Sequence, residues 1–187
     1  MPPSYGSLTN PSNEIINEIN KIHKLNFDYA EIGIEGPEGN PDIINKKKNE
    51  IVKLLQVFKQ KPIGHTAYWI DLGSDYDYIR HAWILEAIRE IKTARKIGID
   101  IINFHANING MFYGEKRKIV LDNLIKSLRE IVSHAKKSKE VHVMLENIPL
   151  SNGIHNIDEF KYIIDNVDML FVHLDIPHAS PQEEGSQ

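Results

Sequence analysis

The sequence predicts an α/β fold, a parallel (β/α) barrel that is incomplete, and three observations lead to this prediction. Strand-like and helix-like segments alternate along nearly all of the 187 residues, and repeated strand–helix order produces a parallel sheet with right-handed crossovers. The strand-like segments are continuously apolar, as expected when helices cover a parallel sheet. Polar, chemically active side chains follow four of these segments, and a parallel barrel brings the ends of non-adjacent strands to one mouth.

The first half of the chain is predicted to contain three strand–helix units. The predicted strands are Pro3–Leu8, Tyr29–Ile34 and Ile63–Ile70. The first helix follows a cap at Asn10 or Ser12 and ends near Lys24. The second helix is Lys46–Lys59, with an apolar face. The third follows a cap at Ser74 or Asp75 and ends at Lys96, because Gly98 is a stop signal.

The second half continues the same order with three further strands. These are Ile99–Phe104, Val141–Leu145 and Met169–Leu174. Glu115–Lys136 is the fourth helix, and Asn156 with Glu159 resembles a capping box at the start of the fifth.

The count of six strands and five helices falls short of a complete TIM-type barrel, which has eight of each and about 250 residues. We predict one domain over residues 1–180, followed by a polar tail at 181–187. An open sheet has two edges with unpaired backbone groups. We therefore expect a homo-oligomer that covers them.

Composition excludes several classes of function. The chain has no cysteine, which excludes disulfides and thiolate metal sites and suits a cytoplasmic protein. Its net charge is −4 and its basic runs are short, as at Lys46–Lys48, so the bulk electrostatic footprint of a duplex-binding protein is missing. The first residues lack the features of a signal peptide, and no apolar stretch approaches the ~20 residues of a membrane span. We expect no membrane association.

Four short stretches carry the candidate site: IGHTAY, NFHAN, MLENIP and HLDIPHA. They place His65, His105, Glu146, Asp175 and His178 at similar points of successive units. The gaps along the chain are 40, 41 and 29 residues, about one strand–helix unit each. Imidazole nitrogens and carboxylate oxygens bind divalent cations, so the pattern predicts a site for Zn²⁺ or Mn²⁺, with Mg²⁺ as a further option.

Other side chains near the predicted mouth are candidates for contact with a substrate. Glu35 follows the second strand on the same face as Glu31, and Tyr68 follows His65. Asn107 follows the fourth strand and could bind a hydroxyl group, as could Asn109. His173 precedes Asp175 by two residues and is predicted to lie inside the barrel below the metal ligands.

Together with FDYAEIGIEG, these stretches resemble the xylose isomerase-like superfamily of barrels. It contains the sugar isomerases and epimerases and also the endonuclease IV-type abasic-site nucleases (AP endonuclease family 2). The resemblance implies that Glu146 is the fifth-strand metal ligand, and in epimerases also an acid/base. Asp175 matches the sixth-strand ligand, and His105 matches the fourth-strand histidine. His178 resembles a substrate contact of the epimerases or a zinc ligand of the nucleases, and His65 resembles the nuclease pattern more closely.

Three functions remain open on the sequence. A divalent-metal-dependent isomerase or epimerase of sugars or sugar phosphates is preferred, because acidic residues follow several strands and would repel DNA. The alternative is an endonuclease acting on abasic DNA through a multi-zinc site. The third is a degenerate, non-catalytic metal-binding barrel. The family's seventh-strand histidine and eighth-strand glutamate are not found, so we expect weak activity or none from these 187 residues.

Overall fold

A computed structural model describes residues 2–108, 114–137, 141–148 and 157–179. Six parallel strands form one sheet in the order of the sequence: β1 Gly6–Leu8, β2 Tyr29–Ile34, β3 Ile63–Thr66, β4 Ile101–His105, β5 His142–Glu146 and β6 Leu170–His173. A helix follows each strand: α1 Ile15–Lys24, α2 Pro41–Leu55, α3 Asp77–Lys96, α4 Gly114–Lys137, α5 Ile157–Asp165 and α6 Ile176–Ala179. The predicted fold class, an incomplete α/β barrel, is confirmed.

Several predicted boundaries are wrong, most clearly at the helix starts. The helix α2 begins at Pro41, ahead of the predicted Lys46, because the Asn40 side chain accepts hydrogen bonds from the N–H groups of Asp42 and Ile43, both at 3.1 Å. Proline suits this first turn, because a backbone N–H at this position would have no hydrogen-bond partner within the helix. Glu14 caps α1, in place of Asn10 or Ser12.

Other boundaries differ at the end of β3 and at the start of the third helix. The strand β3 ends at Thr66, since the chain turns before Ile70. Tyr76 precedes α3, so neither Ser74 nor Asp75 is its cap. The single-turn helix α6 was not predicted, and the predicted cap Asn156 lies outside the described residues.

The strands divide their side chains between a helix-covered face and the barrel interior. Ile32, Ile102, Phe104 and Leu145 are fully or almost fully buried in the core beneath the helices. Residues of the opposite parity point inward, because successive strand side chains alternate between faces. The inward set carries the polar groups Glu31, His65, Asn103, His105, Glu146 and His173.

The barrel is open between β1 and β6, each of which has one neighbouring strand among the described residues. Phe171 and Val172 of β6 are 46% and 48% exposed, large values for apolar residues of a barrel strand. The expected homo-oligomer would cover this edge, and it stays a prediction. Among the described residues, no helix combines the length and the apolar composition needed to cross a membrane.

The loop after β2 is packed so closely that one glycine has no room for a side chain. A Cβ at Gly39 would lie 2.2 Å from the carbonyl oxygen of Gly33 and 2.9 Å from that of Glu35. We predict that Gly39→Ala lowers the free energy of unfolding by about 1–3 kcal/mol, because both atoms belong to the backbone and must shift together. Chemical denaturation measures this change.

Gly36→Ala is the matched control, since a Cβ at Gly36 meets no atom within 4 Å among the described residues. This variant should stay within about 0.5 kcal/mol of the parent. Equal stabilities for the two alanine variants would contradict the close packing of the loop.

Candidate metal centre

The register of the parallel strands brings the polar side chains to one layer at the carboxyl end of the sheet. His65 on β3 is paired with Asn103 on β4, and His105 on β4 is paired with Glu146 on β5. Glu146 is in turn paired with His173 on β6. Since all these strands run in the same direction, their ends lie at the same mouth.

The first candidate ligand group consists of His65, His105 and Glu146. The Nε2 atoms of His65 and His105 lie 3.7 and 3.6 Å from Glu146 Oε2, too far for hydrogen bonds. The two imidazole rings meet edge to face with their centroids 4.7 Å apart. Ligand atoms around a tetrahedral zinc ion lie about 3.3 Å apart when the bonds are 2.0–2.1 Å long. The spacing therefore suits one such ion among the three side chains.

The hydrogen bonds of these side chains also suit a ligand role. Nδ1 of His65 and Nδ1 of His105 are buried and have no hydrogen-bond partner among the described residues. A buried histidine with a purely structural role usually has hydrogen bonds to its ring nitrogens, and these two histidines differ from that pattern at Nδ1. Asn103 donates a hydrogen bond to Glu146 Oε2 and so orients the carboxylate.

Electrostatics sets the protonation of the group. Burial acts to raise the pKa of Glu146, but contacts with His173 and His65 outweigh it, and the pKa lies well below the ordinary value. Burial, helped by repulsion from His65, lowers the pKa of His105 to about 4. At neutral pH the carboxylate is therefore charged and His105 is neutral, which are the forms that bind metal ions.

A second group on the other side of Glu146 consists of Glu146, Asp175 and His178. One ligand atom from each lies within 4.8 Å of the other two. Nδ1 of His178 is 3.6 Å from Glu146 Oε1, whereas the first group faces Oε2. The same Nδ1 lies 3.0 Å from the carbonyl oxygen of Asn147. The Nδ1 atom that faces Glu146 is therefore also the atom beside this carbonyl, and when it carries the proton Nε2 is the nitrogen left to bind a metal.

Asn147 holds the second group in place and was not identified from the sequence. Its side chain accepts a hydrogen bond from the Asp175 N–H at 2.8 Å and donates one to the Asp175 carbonyl at 2.9 Å. Asp175 Oδ1 accepts from the His178 N–H at 2.8 Å. The only sequence signal was the position of Asn147 directly after Glu146 in MLENIP.

His173 and Glu31 extend the inward-facing layer. Nδ1 of His173 lies 3.2 Å from Glu146 Oε2, and this contact raises the pKa of His173. Burial raises the pKa of Glu31, although His65 and His173 attract its charge. The sequence spacing predicts that His173 lies below the metal ligands. In the structure His173 instead contacts Glu146 of the candidate centre directly.

The residues that were predicted to contact a substrate differ in their burial and in their contacts. Burial raises the pKa of Glu35, which lies near enough to His65 to interact with its charge. Tyr68 is 65% exposed, and its ring packs edge to face on Trp69. The Asn107 amide is buried and donates to the Tyr68 carbonyl at 2.7 Å, which ties the loop after β3 to β4. Asn109 lies outside the described residues.

Comparison with known families gives a match over most of the chain. The sequence model of the family described as "Xylose isomerase-like TIM barrel" matches residues 19–187. A curated relative, the probable endonuclease 4 of Thermotoga petrophila, is 27% identical over 129 residues. That alignment covers 68% of this chain and 42% of the relative, so the chain spans less than half the length of this protein.

Solved structures with similar folds include both branches of the superfamily. A D-tagatose 3-epimerase-like protein superposes with a TM-score of 0.79 at 21% identity, covering 94% of this chain and 66% of that one. Endonuclease IV from Thermus thermophilus superposes with a TM-score of 0.69 at 14% identity, covering 95% and 64%. At these identities the structural likeness establishes the fold alone.

We predict that replacing both His65 and His105 with alanine lowers zinc retention more than manganese retention. Imidazole nitrogens favour zinc, whereas carboxylates alone still suit manganese. Metal content after dialysis against defined metal buffers measures the difference. The matched control is His23→Ala with His81→Ala, since both of these histidines lie exposed on helices. Equal loss of both metals would argue against a zinc-preferring imidazole pair.

Proposed function

Because the chain belongs to the xylose isomerase-like TIM-barrel family, we propose that its mouth is a divalent-metal site whose chemistry is phosphodiester hydrolysis in abasic DNA. The single observation that carries this proposal is the position of Glu146 between two ligand groups. Its Oε2 faces His65 and His105, and its Oε1 faces His178. A carboxylate in this position can bridge two ions, an arrangement common among phosphodiester-cleaving enzymes.

The curated relative supports the same preference at the level of sequence, since the Thermotoga petrophila protein is named a probable endonuclease 4. The two groups of ligands also agree with it, because ligands on both sides of one carboxylate suit a pair of ions. The preference for an isomerase, which rested on acidic residues around the mouth, therefore gives way to the hydrolytic alternative.

The chain's own residues would bind the ions and hold the reacting group. Bound divalent ions would supply the charge that polarises a phosphodiester and makes a water more acidic. Glu146 holds the two ligand groups together, and Asn103 fixes the orientation of its carboxylate. His178 is fixed by the Asn147 carbonyl and by Asp175. The exposed ring of Tyr68 at the rim offers an apolar face to a base or a sugar.

A sugar epimerase is the second candidate, and one observation favours it. Glu31 is a second carboxyl group on the inward face of the barrel, and burial raises its pKa. Enzymes that move a proton between adjacent carbons commonly use two acidic groups with different pKa values, one as the base and one as the acid. The likeness to the D-tagatose 3-epimerase-like structure is compatible with this chemistry but extends to the fold alone.

Single-turnover assays on both substrates separate the candidates. We predict weak cleavage of a duplex carrying one abasic site, none of the undamaged duplex, and at least about 10²-fold loss in Glu146→Gln. The neutral amide cannot bridge two cations, so metal content should fall in the same variant. Glu130→Gln, which removes an exposed carboxylate on α4, should leave cleavage and metal content unchanged.

Two outcomes would count against this function. Conversion of a ketose that depends on Glu146, without cleavage of abasic DNA, would favour the epimerase. Metal binding that survives Glu146→Gln, with neither reaction detected, would favour the non-catalytic barrel.

We also propose that the open edge at β6 is covered by a second copy of the chain. Light scattering should then show a dimer or larger species at micromolar concentration. Leu174→Lys, at an apolar residue that is 62% exposed beside this edge, should shift the equilibrium towards monomer because a charge must then be buried. The matched control is Ile119→Lys on α4, where the side chain is 50% exposed. A monomeric parent protein would contradict the proposal.

A further inference from the structure

A pocket on the helical side of the sheet, next to the mouth and lined in part by Glu35, contains a buried carboxyl group whose Oε2 has no hydrogen-bond partner among the described residues. The pocket has a volume of about 430 Å³ and lies between the loops after β2 and β3 and one face of α3. This volume falls within the range of small-molecule sites, roughly 300–1,000 Å³. The face of α3 consists of Ile79, Ala82, Trp83, Glu86 and Glu90, whose three- and four-residue spacing places them in one stripe.

Glu90 is the residue that sets the character of this pocket. It is only 3% exposed, and its Oε2 has no hydrogen-bond partner among the described residues. Burial raises the pKa of Glu90 well above its usual value, and the charges of Glu86 and Glu35 add to the effect. A buried ionisable group of this kind is costly unless a partner offsets it.

The other polar groups of the pocket already have partners or are themselves acidic. Both oxygens of Glu86 accept from Arg89, which also pairs with Asp42 at 2.7 Å. The Asn40 oxygen caps α2, and its amide group donates to a backbone carbonyl. Lysine, arginine and histidine are all missing from the described residues that line the pocket. Among the described lining residues Glu90 therefore has no cationic partner, and this missing partner is the main electrostatic feature of the pocket.

The remaining walls are aromatic and aliphatic. The rings of Trp69 and Trp83 line the pocket together with Ile34 and Ile70. An indole face attracts a cation within about 6 Å of the ring centre, and aliphatic walls favour a ligand with a hydrocarbon chain.

A bare metal ion fits this pocket less well than an organic cation does. Among the described residues, the carboxyl oxygens of Glu35, Glu86 and Glu90 do not come together as a group within metal-ligand distance, in contrast to the two groups around Glu146. We propose that this pocket binds a small organic cation, a primary amine on an aliphatic chain, with Glu90 as its anionic partner and Trp69 and Trp83 as its walls.

Tryptophan fluorescence gives a direct test, because the two tryptophans of the chain are both in this pocket. Pentylamine and 1,5-diaminopentane should produce a saturable change in emission, whereas 1-pentanol, which lacks the charge, should not. Each titration is run with metal-loaded and with chelated protein, because binding to the emptied carboxylates of the metal centre would appear in the chelated sample alone. N-acetyl-lysine methylamide separates the two sources of such a cation, since binding equal to that of pentylamine points to a lysine side chain and weaker binding points to a free amine.

Three variants make the test specific. Glu90→Gln should weaken amine binding about tenfold or more, because a hydrogen bond to a charged group is replaced by one to a neutral amide. Ala82→Leu keeps the carboxylate and the helix but fills the pocket, so it should also weaken binding and stands in if the glutamine variant is unstable. Glu130→Gln, an exposed change on α4, should bind as the parent does. A parent protein without saturable binding, or equal binding by parent and both pocket variants, would overturn the proposal.

Discussion

The burial of one carboxylate, that of Glu146, is the constraint on which the mouth of this barrel depends. A buried charge costs several kcal/mol unless hydrogen bonds and opposite charges surround it. The partners come from neighbouring strands, with His65 on β3, Asn103 and His105 on β4 and His173 on β6. Because each partner approaches the same group, the ends of four strands are held around a single negative charge.

The same carboxylate links the metal content of the site to the charge of its substrate. Without cations, Glu146 and Asp175 make the mouth negative, and a phosphodiester would be repelled. Two divalent ions would reverse this sign, while a neutral sugar would need no such reversal. The acidic surroundings that at first favour a sugar are therefore compatible with DNA once both ligand groups around Glu146 are loaded.

Glu146 and Glu90 are both buried, but their surroundings shift the pKa of the two carboxyl groups in opposite directions. Histidines and an asparagine surround the first, and its pKa is lowered. Apolar walls and further carboxylates surround the second, and its pKa is raised. The difference arises from the two faces of the sheet. The interior of the barrel collects polar residues from several strands, whereas the described residues around Glu90 under the helices are mostly apolar or acidic and offer it no cationic partner.

The sequence by itself determined the strand order, the fold class and the positions of the main candidate ligands. Apolar runs alternate with amphipathic ones, and parallel strands bring residues such as His105 and Glu146 to one end whatever the details of packing. Helix starts were predicted less well, because capping at Asn40 or Glu14 depends on local backbone geometry that several polar residues could satisfy.

Only the tertiary structure decided how those side chains meet. The two oxygens of Glu146 face different ligand groups, and His173 contacts one of these oxygens, Oε2. Asn147 secures Asp175 across the gap between two strands. Glu90 shares a pocket with loops that are distant in sequence. These contacts depend on the directions of side chains and on the paths of loops, and neither follows a periodic pattern in the sequence. The strands and helices do follow such a pattern, so they could be predicted.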